Sequence, residues 1–292
     1  MARFVDRLLE MSRRKGSLLC VGLDVDPARI PGPLRGRSDW VYEFNRGIIE
    51  ATHDLVCAYK PNLAFYEALG LQGLEALERT MSAMPPDVLV VGDAKRGDVG
   101  HTAAAYARAL FDQLRFDAVT VNPYLGSDSV EPFLDREDRG VFLICKTSNP
   151  GSGDFQDLIC AAPEGSMPLY QVVAFRARGW NRRGNVGLVV GATYPEQLAE
   201  VRAMAPELPL LIPGVGAQAG ELERAVVDGT DAAGERVLVS SSRQVIFASS
   251  GNDWMEAARR AALGLRDEIN RFRQAKATPN SGISSPSDRR SG

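Results

Sequence analysis

Four charged residues stand at the end of an apolar run that otherwise has the composition of a buried strand. Residues 90–98 read VVGDAKRGD and contain Asp93, Lys95, Arg96 and Asp98. Asp93 and Lys95 are two residues apart, so on a strand both side chains point to the same face. Because burying an ion pair costs desolvation free energy, this pair indicates either a structural salt bridge or a catalytic site. Asp98 follows within a glycine-containing turn, where its side chain can reach a different neighbour.

The overall composition is that of an ordinary globular protein. The chain has 292 residues, a formal net charge of -3 and 45% apolar residues. This near-neutral charge, without long blocks of one sign, gives no support to a nucleic-acid partner or an anionic membrane surface. No apolar run is long enough to span a bilayer. Residues 1–15 predict an amphipathic helix without the apolar core and cleavage site of a secretory signal, so we expect a cytoplasmic protein.

The cysteine and histidine content does not favour a metal centre. The chain has four cysteines without a CxxC pair and two histidines in separate segments, namely Cys20, Cys57, Cys145, Cys160, His53 and His101. We expect free thiols in a reducing compartment, no bound metal and no Ser-His-Asp triad.

Eight short apolar segments alternate with longer helical patterns along the chain. The predicted strands are 18–25, 56–62, 88–95, 118–124, 141–148, 186–193, 208–214 and 236–241, and the predicted helices include 40–54, 67–83, 102–114, 195–205, 220–228 and 253–274. Eight such units predict an α/β fold, a single-domain (β/α)8 TIM barrel with an N-terminal helix. A doubly wound open sheet is the alternative, but the first strand is not followed by its GxGxxG fingerprint.

The barrel domain is expected to comprise residues 1–275. Residues 276–292 are rich in Ser, Pro, Gly and charge and have no apolar periodicity. We expect this tail to be disordered.

Polar residues follow nearly every predicted strand, at the end of a barrel where active sites lie. They are Asp24, Lys60-Pro61-Asn62, Asp93 with Lys95, Lys146-Thr147-Ser148-Asn149, PGVGAQ at 213–218 and SSSR at 240–243. The last two groups predict a phosphate site. Gly214 and Gly216 let the backbone approach an anion, while Gln218 and Arg243 can donate hydrogen bonds to it.

Taken together, these motifs resemble the orotidine 5′-phosphate decarboxylase family, over about residues 18–247. DAKRGD fits the D-x-K-x-x-D signature of the family, residues 213–218 fit its phosphate loop, and VGLD and KPN fit the ends of its first two strands. The longer loops, the VNPY sequence at 121–124 and the C-terminal extension resemble its longer bacterial branch. The resemblance implies decarboxylation of orotidine 5′-phosphate to UMP and CO2 in de novo pyrimidine biosynthesis, with no cofactor.

The resemblance also implies catalytic roles. Lys60, Asp93, Lys95 and Asp98 would form an alternating chain of charges beneath the scissile carboxylate, and Lys95 would protonate C6 of the pyrimidine. In this family the second aspartate of the signature comes from the neighbouring subunit. Asp98 and Thr102 are therefore expected to complete the site of the partner in a homodimer.

Substrate contacts are implied in the same way. Asp24 would hydrogen-bond a ribose hydroxyl and Ser148 would contact the pyrimidine. The residues implied for the 5′-phosphate are Gly214, Gly216, Gln218 and Arg243. His101 departs from the small residue that the family more often has there and is interpreted as a loop variant, while Asn122 and Tyr124 are interpreted as loop support.

Three alternatives remain at this stage. A metal-dependent 3-keto-gulonate 6-phosphate decarboxylase or hexulose-phosphate synthase would share the D-x-K-x-x-D strand. Those enzymes resemble metal enzymes that use an acidic residue at the end of the second strand, whereas this chain has Lys60 there, a poor neighbour for Mg2+. A Schiff-base aldolase would use Lys95 or Lys146 as its nucleophile, although the carboxylates that flank Lys95 oppose that role. A barrel that only binds a phosphorylated metabolite is the non-enzymatic alternative.

Overall fold

Eight parallel strands form a closed barrel, so the predicted TIM barrel is confirmed and the open sheet is excluded. The computed structural model describes residues 2–163, 165–215 and 219–277. The strands are β1 Leu19–Gly22, β2 Ala58–Lys60, β3 Leu89–Arg96, β4 Ala118–Val121, β5 Gly140–Lys146, β6 Ile159–Ala162, β7 Gly165–Pro168, β8 Val186–Val190, β9 Leu210–Ile212 and β10 Val237–Ser241. All except β6 and β7 belong to the barrel, in chain order, and β1 pairs with both β2 and β10 to close it.

Helices surround the barrel and connect successive strands. They are α1 Phe4–Lys15, α2 Trp40–Thr52, α3 Leu63–Glu67, α4 Gly70–Ser82, α5 Gly100–Arg108, α6 Ser127–Leu134, α7 Leu169–Trp180, α8 Pro195–Met204, α9 Ala219–Gly229, α10 Arg243–Ile246 and α11 Trp254–Ala277. A π-helical turn, Ala109–Gln113, continues α5, and 3-10 turns occur at Pro27–Arg29, Gly32–Leu34 and Pro150–Asp154. Within the described ranges, no helix has the length and hydropathy that a membrane span requires.

The predicted N-terminal helix closes the bottom of the barrel. The apolar face of α1, with Phe4 and Leu8, packs into a cluster with inward-facing barrel residues such as Phe142. The rings of Phe4 and Phe142 meet edge to face at 5.9 Å. Gly140 has no room for a Cβ because the Phe4 ring lies against it. The amino-terminal end of the barrel is therefore sealed by apolar side chains, and solvent reaches its interior from the opposite end.

Inward-facing positions change from apolar to polar toward the carboxyl ends of the strands. Successive inward residues are two apart on a strand. The inner apolar cluster contains Cys20, Ala58, Leu89, Val91, Ala118, Phe142, Val189, Leu211 and Leu238. Two residues beyond members of that cluster lie Lys60, Asp93, Thr120 and Ser240, all buried. This layer of polar side chains forms the floor of the open end of the barrel.

The predicted boundaries differ from the observed ones in three places. Six of the eight barrel strands end earlier than predicted, because the polar residues that follow them belong to loops, whereas β3 ends one residue later, at Arg96, and β10 ends at Ser241 as predicted. The antiparallel hairpin of β6 and β7 was not predicted. Helix α11 continues to Ala277, two residues beyond the predicted end of the domain, and Lys276 Nζ donates to Thr230 O at 2.7 Å. Residues 278–292 lie outside the described part of the chain.

Candidate active site

A cavity of about 430 Å³ lies at the carboxyl ends of the barrel strands. Five strands or the loops that follow them contribute to it, and its lining consists of Asp24, Lys60, Asn62, Asp93, Pro213, Gly214, Val215, Ser240, Ser241, Ser242, Arg243 and Gln244. The predicted convergence of polar strand ends on one rim thus occurs for the ends of β1, β2, β3, β9 and β10.

Lys60, Asp93 and Lys95 form a chain of alternating charge. Lys60 Nζ lies 3.1 Å from Asp93 Oδ2, and Lys95 Nζ lies 2.6 Å from Asp93 Oδ1. The Lys60 side chain is 6% exposed, whereas that of Lys95 is 51% exposed. The buried lysine therefore anchors the carboxylate from below, and the outer ammonium group can meet a ligand from solvent.

The backbone of β3 is irregular where these side chains meet. The pairing of β3 with β4 shifts register between Gly92 and Arg96, and Lys95 has a left-handed φ of 47°. A non-glycine residue in this region is strained, and such strain is found preferentially at functional sites. Thr120 of β4 holds the distortion in place: its Oγ1 accepts from Lys95 N at 2.9 Å and donates to Asp93 Oδ1 at 3.0 Å.

Lys60 and Asp93 keep each other ionised although both are buried. Burial acts to raise the pKa of Asp93, but Lys60 and Lys95 outweigh it and lower this pKa to about 2. Burial acts to lower the pKa of Lys60, but the Asp24 and Asp93 carboxylates raise it above its ordinary value. Near neutral pH the site therefore contains a fixed carboxylate between two ammonium groups.

Asp24 lines this cavity and carries an unsatisfied acceptor. Its Oδ1 is buried and accepts no hydrogen bond from the described residues. A buried acceptor without a donor costs free energy that a ligand hydroxyl can recover. Asp24 thus fits the hydroxyl-binding role expected of it.

The opposite side of the cavity has features suited to an anion. Gly214 follows β9 with a φ of 81°, a conformation that favours glycine, and Arg243 begins α10 on the cavity wall. Arg243 is exposed and its guanidinium can donate two parallel hydrogen bonds to phosphate oxygens. Gly216 and Gln218, which were also expected here, lie outside the described residues.

Ser148 lies beside the cavity and is not part of its lining. It packs against Gly191, which follows β8 and has no room for a Cβ there, and its Oγ lies 3.4 Å from the position that a Cβ on Gly214 would occupy. Ser148 therefore adjoins the anion side of the cavity.

Asp98 and Thr102 do not enter the cavity of their own chain. Asp98 lies in the loop after β3, where its Oδ1 accepts from Val99 N at 2.8 Å. Thr102 lies in the first turn of α5. Both residues are half-buried.

Some residues at or near the site were not among the predicted site residues. Thr120 was missed, although a threonine in the otherwise apolar strand AVTV was a usable signal. Asn62, Ser240 and Ser242 appeared only as members of polar strand ends, and Gln244 was not considered. Their cavity contacts follow from barrel closure, which sequence spacing does not specify.

A second, larger cavity of about 880 Å³ lies beside α7 and shares no lining residue with the charged one. Its lining is mostly apolar and includes Asn122 and Tyr124. Asn122 Oδ1 accepts from Tyr124 N at 3.0 Å, in agreement with their interpretation as loop support. The grouping of ionised side chains makes the smaller cavity the candidate active site.

Comparisons with known proteins identify the same family as the motifs. The family model described as orotidine 5′-phosphate decarboxylase / HUMPS family matches residues 17–260. An orotidine 5′-phosphate decarboxylase of Thermomicrobium roseum is 52% identical over 275 residues, covering 94% of this chain and 97% of the relative. One from Roseiflexus castenholzii is 53% identical over 271 residues, covering 91% and 97%. The solved Leishmania donovani OMP decarboxylase superposes with a TM-score of 0.81 at 43% identity, covering 94% of this chain and 100% of the other.

Proposed function

The chain belongs to the orotidine 5′-phosphate decarboxylase / HUMPS family, and we propose that it is the carboxy-lyase that converts orotidine 5′-phosphate to UMP and CO2. The observation that carries the proposal is the Lys60–Asp93–Lys95 chain at the barrel mouth, beside an unsatisfied aspartate and an anion-binding wall. The catalytic unit is assigned to the barrel through the end of α11 at Ala277, two residues beyond the boundary of 275 expected from the sequence. The cysteines are all free, which supports a reducing cytoplasmic location.

The reaction demands electrostatic catalysis. When the bond from C6 to the carboxylate breaks, its electron pair stays on C6 in an sp2 orbital that no neighbouring carbonyl can delocalise. A fixed cation at C6 stabilises that charge as it develops. Lys95 is the ammonium group that supplies it and then donates its proton to C6, which completes UMP.

Asp93 both holds Lys95 and acts on the substrate carboxylate. Its Oδ1 orients the Lys95 ammonium group at 2.6 Å, while Lys60 fixes Oδ2 at 3.1 Å. A carboxylate that remains ionised beside the substrate carboxylate disfavours the ground-state anion and favours loss of neutral CO2. The charged groups of the protein therefore do not need to move while the bond between C6 and the carboxylate breaks.

Binding at the far end of the nucleotide supports the chemistry. Enzymes lower barriers by up to about 23 kcal/mol in demanding cases, more than one ion pair provides. Gly214, Gly216, Gln218 and Arg243 hold the 5′-phosphate, Asp24 holds a ribose hydroxyl, and Ser148 contacts the pyrimidine. Binding free energy from these contacts orders the substrate over Lys95.

A homodimer with shared sites completes the proposal, with Asp98 and Thr102 acting in the site of the partner. The loops after β3 and β4 pack together, since Asn122 N donates to Arg96 O at 2.8 Å. These loops expose Val99, Tyr124 and Leu125, and apolar side chains on a rim of this kind mark an interface.

The alternatives have weaker support. In the metal-dependent alternative, a divalent cation would bind at the end of β2. The ammonium group of Lys60 lies there, 3.1 Å from Asp93, and would repel the cation. Lys146 is fully buried and ion-paired with Asp157, so it is not accessible to a carbonyl substrate. A binding-only barrel would not need the strained Lys95 backbone.

The test follows loss of orotidine 5′-phosphate by ultraviolet absorbance, with EDTA present and no cofactor added. We expect turnover by the unmodified chain and loss of at least about a thousandfold in kcat for Lys95→Ala, since the charge stabilisation and the proton donor both disappear. Lys15→Ala is the matched control, because Lys15 pairs with Asp87 at the other end of the barrel. Absence of turnover by folded protein, or equal loss in both variants, would overturn the proposal.

A further inference from the structure

The connection between β5 and α7, residues 147–168, is a long loop that carries Ser148. It contains the 3-10 turn Pro150–Asp154 and the hairpin of β6 and β7. Long ordered loops of this kind usually serve binding or catalysis. The proposed mechanism uses only Ser148 from this segment, which we call the β5–α7 connection.

Lys146, at the start of the connection, is a buried charge that the proposed chemistry does not use. Its side chain is 0% exposed. Its Nζ lies 2.6 Å from Asp157 Oδ1 and 3.3 Å from Ser152 Oγ, and it lies over the ring of Tyr194 at 4.6 Å. Both polar partners belong to the β5–α7 connection, so the connection itself neutralises and solvates the ammonium group.

The two members of the Lys146–Asp157 ion pair differ in burial, and this difference opposes opening of the β5–α7 connection. Asp157 is 48% exposed and would be hydrated if the connection lifted away. Lys146 would remain in the barrel wall, between the rings of Tyr170 and Tyr194, without a counter-charge. Leaving one member of a buried pair uncompensated is strongly unfavourable.

A second clamp lies next to Ser148. Thr147 N donates to Gln156 Oε1 at 2.9 Å, and Gln156 Nε2 donates to Thr147 Oγ1 at 2.8 Å. Gln156 immediately precedes Asp157, so the ion pair and the amide clamp hold the same stretch of chain. Ser148, the residue after Thr147, lies against Gly191 and close to Gly214 at the cavity edge.

We propose that Lys146 and Asp157 form a latch that holds the β5–α7 connection closed and so positions Ser148 for substrate binding. Both are positioning residues, because neither lines the charged cavity. The inference rests on the proposed function, since it takes Ser148 as a contact to the pyrimidine. Breaking the latch should weaken binding of orotidine 5′-phosphate more than it slows the chemical step.

The experiment is a double-mutant cycle between Asp157→Asn and Ser148→Ala. Asp157→Asn should raise KM roughly tenfold with a smaller change in kcat, and Asp157→Glu should recover part of the loss because it keeps the charge. The double variant should be no worse than the poorer single variant, because both remove the same contact. Asp54→Asn, which breaks the surface pair with Arg259, is the matched control and should leave KM unchanged.

Additive effects of the two substitutions, or a KM for Asp157→Asn equal to that of the unmodified chain, would overturn the latch. Hydrogen exchange supplies a readout that does not depend on turnover. The Thr147 amide should exchange faster in Asp157→Asn than in the unmodified chain, and equal exchange would also overturn the latch. If the unmodified chain does not decarboxylate the nucleotide, the proposed function fails and exchange alone decides whether the latch exists.

Discussion

At the residue scale, Asp93 links stability to pH. Its pKa falls from an ordinary value of 3.8 to about 2 in the folded chain, because Lys60 and Lys95 outweigh the effect of burial. A carboxyl group whose pKa is lowered by folding stabilises the fold above its unfolded pKa, and this contribution disappears as the pH falls through the folded pKa.

Comparison of the unmodified chain with Asp93→Asn tests this linkage by urea unfolding at several pH values. The variant should be less stable near neutral pH, since Lys60 stays buried without this partner. The difference in the free energy of unfolding should shrink by roughly 2 kcal/mol between pH 4 and pH 2. Parallel pH profiles for the two proteins would contradict the assigned ionisation.

The identity of several charged residues at the site could be predicted from the sequence. The backbone conformation that brings them together could not. Lys60, Asp93 and Lys95 were identifiable because charged residues interrupt apolar strands, and the chain of contacts among them is present. The left-handed conformation of Lys95 and its bond to Thr120 were not predictable. They depend on a register shift between two strands, which no local pattern specifies.

At the element scale, Arg202 stabilises the amino-terminal end of the barrel. Its buried guanidinium donates to backbone carbonyl groups at the ends of several elements: Ala205, Pro206, Leu208, Gly229 and Arg236. Burial lowers the pKa of Arg202 to about 10. The planar fork of arginine spreads five N–H donors over three nitrogen atoms and can reach all of these carbonyl groups, whereas the ammonium group of lysine has three donors on one nitrogen.

Arg202→Lys should therefore lower the free energy of unfolding by about 3 kcal/mol, because several carbonyl groups lose their donor. Its kcat should stay close to that of the unmodified chain, since Arg202 lies at the far end of the barrel from the cavity. Arg224→Lys is the control: Arg224 forms an exposed pair with Asp228 within α9, worth under about 1 kcal/mol. Equal stability of the two variants in urea unfolding would refute the role of Arg202.

The elements themselves were largely predictable from periodicity. All eight barrel strands were identified, because each is an apolar run bounded by polar or glycine-containing segments. The hairpin of β6 and β7 was missed, since none of its strand residues is buried and they include Gly165 and Pro168. Its short strands pair with each other and do not join the barrel, so neither the apolar run nor the βα alternation revealed it.

At the scale of the whole molecule, the proposed homodimer concerns the surface next to Lys95 and Asp98. The Lys95 side chain is half exposed, and Asp98 is not among the residues that line the cavity of its own chain. Neighbouring loops expose Val99 and Tyr124, at 51% and 77%. The loop after β3 therefore combines a carboxylate outside its own cavity with exposed apolar side chains nearby, which is the combination expected of the proposed two-fold interface with exchanged residues.

Subunit mixing tests this arrangement directly. Asp98→Ala and Lys95→Ala chains should each be nearly inactive alone. In a hybrid dimer, the site on the Asp98→Ala chain has its own Lys95 and receives Asp98 of the partner subunit, so that site is complete. Random reassociation makes about half of the dimers hybrids, and each hybrid has one complete site out of two. Activity should therefore recover to about a quarter of the unmodified value.

Mixing two preparations of Lys95→Ala chains is the control and should recover nothing. If mass spectrometry shows subunit exchange while activity stays at the level of the control, each site is built from one chain and Asp98 acts elsewhere.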